Sequence, residues 1–198
     1  GMGVNFAALY AYYLASPLNW LIMLCPKGYV IEFMTYMIVL KTGLAGLTFA
    51  WYLSKHCRTR DFGTAYFAIF YALSGYMAAY SWNIMWLDCI VLLPLILHGL
   101  ERLVREKKGL FYCLMLGLSI LSNYYISIMI CLFMVIYYVA LLFLEKRPGW
   151  KDCLHSFFLF GVYSLLAGAL AAAVLLPEIA ALQSTASGDF NFPTTLEI

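Results

Sequence analysis

What most constrains this chain is a recurrence of apolar runs near twenty residues long, separated by short connectors that collect almost all of its basic residues. A helix needs about 20 apolar residues to cross about 30 Å of hydrocarbon. Runs at 29–53, 63–81, 86–102, 109–122, 125–144 and 154–176 meet or approach that length. Hydrocarbon cannot hydrogen-bond a bare backbone, so such runs must be helical. Apolar and aromatic residues make up 65% of the chain and charged residues 11%, against about 25% charged in soluble domains. The expected fold class is therefore all-α, a polytopic transmembrane helical bundle of about six spans.

The stretch before the first span, 1–28, is apolar but interrupted by Gly3, Pro17 and Pro26. It reads as short helices that lie at the membrane surface or re-enter it. The expected organisation is an interfacial segment at 1–28, a six-span bundle at 29–176 and a loop at 177–198. The opening GMGVNFAALYAYY has neither a basic leader region nor a small-residue cleavage site, so it does not read as a signal peptide. The chain reads instead as an internal piece of a longer one.

Orientation follows from the connectors. KHCRTRD at 55–61, ERLVREKK at 101–108 and EKRPGWKD at 145–152 hold every Lys and Arg except Lys27 and Lys41. The positive-inside rule places all three in the cytoplasm. The segments 1–28, 82–86, 122–125 and 177–198 then face the other side of the membrane. Because the basic residues form short separate clusters rather than one stripe, no nucleic-acid partner is indicated. Cys25, Cys57, Cys89, Cys113, Cys131 and Cys153 form no C-x-x-C pair and read as small apolar residues. His56, His98 and His155 read as structural or solvated, and no metal-ligand constellation is visible.

The extracytoplasmic segments carry Asn, Tyr, Trp and acids but, Lys27 apart, no basic residue. Trp82, Trp86, Tyr124 and Tyr125 can be an aromatic belt, which leaves Asn5, Asn83, Asn123 and Glu178 unexplained. The run 109–121 would span only about 20 Å as a helix. The following SNYY turn should therefore lie below the surface, lining a cavity near Asn83 and Asp88.

Three ionisable residues stand out. In AYSWNIMWLDCIVLLP, Asp88 lies about one turn inside its span, and a carboxylate there must be paired or face a wet site. It is the first candidate for a catalytic group. Lys41 lies near the bilayer midplane and needs a counter-charge or a water-filled cavity; it could draw in an anionic substrate or a catalytic carboxylate. Glu32 falls in the first turn of its span and could be solvated or face the site. TGLAG at 42–46 and GALAAA at 168–173 are small-residue segments suited to close helix packing.

GMGVNFAALYAYYLASPLNWL, LKTGLAGLTFAWYL, ALSGYMAAYSWNIMWLDCIVLLPLILHGLERL and LSNYYISIMICLFMVIYY, in that order, resemble the bacterial YfhO-like integral membrane proteins. The resemblance covers most of the chain and would make it a portion of the N-terminal half. It implies kinship with GT-C glycosyltransferases, which transfer sugar from a polyprenyl-phosphate donor to surface polymers such as teichoic acids on the outer face. It also implies a principal catalytic acid in the first outer loop, upstream of Gly1, and in many members a divalent metal. On this reading the partners are membrane lipid, a polyprenyl-phosphate sugar donor and a surface-polymer acceptor. Asp88 would act on the acceptor, while Lys41, Glu32, Asn5, Asn83, Asn123, Tyr124, Tyr125 and Glu178 would contact substrate. A flippase of lipid-linked sugar and a non-catalytic membrane scaffold are the competing functions.

Overall fold

The computed structural model describes residues 15–144 and 149–183, apart from the side chains of residue 178 and residues 181–183. No strand occurs among the described residues, and the chain is a helical membrane bundle. Two 3₁₀ helices, Pro17–Leu24 and Lys27–Tyr29, flank Pro26. Eight α-helices follow: α1 Val30–His56, α2 Phe62–Ala72, α3 Gly75–Tyr80, α4 Ile84–Glu106, α5 Leu110–Ser122, α6 Tyr124–Leu144, α7 Trp150–Leu170 and α8 Ala172–Gln183. Of these, α1, α4, α6 and α7 are long and apolar enough to cross a membrane.

The expected span at 63–81 is not one helix. Asp61 caps α2 by accepting a bond from the Thr64 amide at 3.1 Å, but Ser74 is extended, with ψ 158°. The Ser74–Gly75 pair has low helix propensity and restarts the chain as α3. The two short helices still carry the chain back along α1: Phe49 stacks on Tyr71 with ring centroids 4.4 Å apart, Gly46 lies beside Ala72, and Tyr80 shares a cavity wall with Phe33. The span expected at 154–176 starts earlier, at Trp150, and breaks at Ala171. There one amide reaches the carbonyls of both Ala167 and Gly168, the shared bond of a frayed helix end.

Helix α4 is the hub, packed against α1, α5, α6 and α7. Its buried positions Leu92, Ile96, Leu100 and Leu103 recur every three or four residues, one face of a helix. Pro94 cannot donate to the carbonyl of Ile90, and the Tyr71 hydroxyl takes that place at 2.7 Å. Close approach depends on small residues. A Cβ on Gly46 would stand 3.2 Å from that of Ala72, and one on Gly99 would stand 2.7 Å from the Cα of Tyr112. The first contact is the packing that TGLAG suggests. In GALAAA, a Cβ on Gly168 would meet nothing within 4 Å, whereas Ala171 is fully buried.

The partners fix the directions of the helices. Lys41 with Asp88 and Tyr52 with Glu101 make α1 and α4 parallel. Ser127 with Cys89 and Tyr137 with Glu101 align α6 with them. Helix α5 runs the other way, with Tyr112 beside Gly99 and Ser119 beside Cys89, and α7 runs alongside α5 through the Tyr112–Ser164 bond. The large exposed side chains of these spans, such as Ile31, Leu47, Ile136, Phe143 and Leu165, are the lipid-facing surface of a bundle turned outward to hydrocarbon.

Candidate functional site

Two polar networks lie at opposite ends of the bundle. At the end away from the basic connectors, Lys41 is fully buried and Asp88 is 4% exposed. The Lys41 ammonium donates to Asp88 Oδ2 at 2.8 Å, to Asn19 Oδ1 at 2.7 Å and to the Ile84 carbonyl at 3.0 Å. A lysine has three donors, and all three end on protein. Asp88 Oδ2 also accepts a bond from the Ser16 hydroxyl. The pair thereby ties the 3₁₀ segment, α1 and the first turns of α4 into one unit.

Beside this pair opens a cavity of about 690 Å³. Its walls are Asn19 and Ile22 from the 3₁₀ helix, Phe33, Met34 and Met37 from α1, and Tyr80 with residues 82–86 from the approach to α4. The lining is mainly apolar and aromatic, as in most small-molecule sites. Three buried polar atoms near it have no hydrogen-bond partner among the described residues: Asn83 Nδ2, Trp86 Nε1 and Asp88 Oδ1. Unsatisfied buried groups cost about 1–3 kcal/mol each, so two donors on the cavity wall, with an acceptor on the adjoining ion pair, mark a place where a polar ligand would compensate them.

The structure sorts the expected site residues. Lys41, Asp88 and Asn83 come together, with Asn83 on the cavity wall. Asn123, Tyr124 and Tyr125 lie nearby but do not line the cavity. Asn123 is fully buried and caps α6, accepting a bond from the Ile126 amide at 3.0 Å, while its carbonyl lies 3.7 Å from Cys89 Sγ. Ser122 and Asn123 of the SNYY turn are therefore buried in protein, the other condition under which irregular backbone is tolerated at membrane depth, while Tyr125 is exposed. Tyr125 packs near Trp86, ring centroids 6.1 Å apart. Glu32 is exposed on α1, outside the cavity lining. Asn5 and the side chain of Glu178 lie outside the described residues.

Sequence reading missed Ser16 and Asn19, although both are polar residues flanking Pro17 in an otherwise apolar stretch. It also missed the second network. At the basic end Glu101, 3% exposed, accepts from Tyr52 at 2.8 Å, Tyr137 at 2.7 Å and His56 at 2.7 Å. Arg105 lies 3.4 Å from its other oxygen. Tyr52 and His56, one turn apart on α1, were the available signal.

A divalent cation does not fit the first site. Asp88 shares its surroundings with a lysine ammonium, and no three His, Cys, Asp or Glu side chains converge among the described residues. The family described as bacterial membrane protein YfhO matches residues 1–197. No curated protein and no solved structure matches significantly.

Proposed function

The chain belongs to the YfhO family of bacterial membrane proteins, and on that premise we propose that it serves a membrane glycosyltransferase reaction. In this reading a sugar passes from a polyprenyl-phosphate donor to a cell-surface polymer on the outer face. The observation that carries the proposal is the aromatic cavity lined by Asn83 and Trp86, whose Nδ2 and Nε1 have no partner among the described residues, beside an ion pair whose Asp88 Oδ1 is also unpartnered. Aromatic and apolar walls suit an isoprenoid and the faces of a sugar ring. An amide donor, an indole donor and a carboxylate acceptor suit hydroxyl groups.

Lys41 and Ser16 occupy one oxygen of Asp88 and leave the other free to accept from the acceptor hydroxyl. Asp88 thus orients the nucleophile, and Lys41 acts through Asp88 as a positioning residue. As the hydroxyl oxygen bonds to the anomeric carbon, the bond from that carbon to the phosphate oxygen breaks. The polyprenyl phosphate leaves with the electron pair, and the hydroxyl proton passes to the free Oδ1 of Asp88.

The test gives purified protein a polyprenyl-phosphate sugar and an acceptor in detergent. Transfer is expected, with Asn83→Ala raising the acceptor KM and Asp88→Asn lowering kcat by about 10²-fold or more, the scale of a lost positioned polar group. Folding of each variant is checked by its elution and melting. Full turnover in well-folded Asp88→Asn protein would remove the site. The flippase reading draws on one observation, the interrupted crossing of α2 and α3, since broken helices recur in transporters. Translocation in sealed vesicles with no transfer in detergent would select it.

A further inference from the structure

The opposite end of the bundle holds a second cavity, of about 240 Å³, between the ends of α1 and α4. Lys55, Arg58, Arg102 and Arg105 line it together with Glu101 and Glu106. Both carboxylates are already engaged: Glu101 by two tyrosines, His56 and Arg105, and Glu106 by Arg102 at 3.4 Å and Lys108 at 3.5 Å. Lys55 and Arg58 have no ion-pair partner among the described residues, so the cavity has a cationic excess.

Two further observations point to a ligand. His98, on the same wall, has a buried Nδ1 with no hydrogen-bond partner, and its ring sits edge-on to Trp51 at 4.8 Å. Arg58 has φ 55°, the left-handed position after a helix that glycine fills most easily. The chain keeps a guanidinium there at a conformational cost.

We propose that this cavity binds the phosphodiester headgroup of an anionic phospholipid. A lipid is favoured over a soluble phosphate by the α1 face that leads to it. Leu40, Leu47 and Trp51 are exposed along that face; at helical spacing they continue into Lys55, and Arg58 follows just past the helix end and lines the same cavity. Acyl chains would lie along the first three and the phosphate would meet the last two. Basic pockets between helix ends are a recognised mode of holding such headgroups. The site is independent of the cavity at the other end.

Native mass spectrometry of the detergent-purified protein tests this with phosphatidylglycerol, phosphatidylcholine and glycerol 3-phosphate. Retention of phosphatidylglycerol alone is expected. Lys55→Gln combined with Arg58→Gly should weaken it roughly tenfold or more, as two basic residues near a phosphate would. Glycine suits the backbone at 58, so this variant should melt no lower than wild type. Lys151→Gln, on a different basic connector, should retain the lipid as wild type does. Equal retention by the double variant overturns the proposal, as does an equal loss in Lys151→Gln, which would signify only diffuse attraction to a basic face. Equal binding of glycerol 3-phosphate overturns the lipid assignment, and no retention of phosphatidylglycerol overturns the site.

Discussion

Lys41 illustrates what a single residue reveals and conceals. A lysine so deep in an apolar run demands a partner, and that demand is readable without coordinates. The partner's identity is not readable, because Asp88 lies 47 residues away and meets Lys41 only through the parallel register of two helices that are not consecutive. Glu101 was hidden for the opposite reason: it begins a basic connector and looks solvated, yet the helix turns it inward onto Tyr52 and Tyr137. Removing one member of a buried pair strands the other charge, a loss of about 3–5 kcal/mol, whereas removing both with apolar residues is often far milder. Lys41→Met and Asp88→Leu should therefore each lower the unfolding midpoint in detergent strongly, and the double variant should recover most of the loss. If the two losses simply add, the ion pair does not couple α1 to α4.

At the scale of elements, the long helices were legible because their length and apolarity leave the backbone no alternative in lipid. The short α5 was legible as too short. The break between α2 and α3 was not, since a serine and a glycine inside an apolar run weaken a helix without forbidding it. What joins the elements also escaped the sequence: small residues mark close approach in general, but only geometry ranks them. A Cβ on Gly99 would strike the Cα and amide nitrogen of Tyr112, at 2.7 and 2.8 Å, whereas one on Gly43 would meet nothing within 4 Å. Backbone cannot swing aside as a side-chain tip can. Gly99→Ala should force α4 and α5 apart and cost about 1–3 kcal/mol. Gly43→Ala should be neutral or stabilise by up to about 1 kcal/mol through helix propensity. Thermal unfolding of the two variants beside wild type checks this, and equal effects would mean that α4 and α5 do not pack through Gly99.

For the whole molecule, the parallel course of α1, α4 and α6 and the reverse course of α5 and α7 place residues 58 and 105 at one end and Trp82 at the other. The alternation was expected from the connectors, and the interrupted crossing preserves it because α2 and α3 together return the chain to the end from which α1 set out. We propose that the basic end faces the cytoplasm, since basic connectors resist translocation. In a background lacking the native cysteines, Arg58→Cys and Arg105→Cys should resist an impermeant maleimide in intact cells and react after lysis. Trp82 is 68% exposed, so Trp82→Cys should react before lysis. Labelling at 58 or 105 in intact cells would invert the molecule. It would put the cavity beside the Lys41–Asp88 pair in the inner half of the membrane, away from any acceptor on the cell surface, and the basic cavity between α1 and α4 against the outer leaflet. The proposed transfer on the outer face therefore depends on this orientation, and the labelling experiment tests it without requiring a substrate.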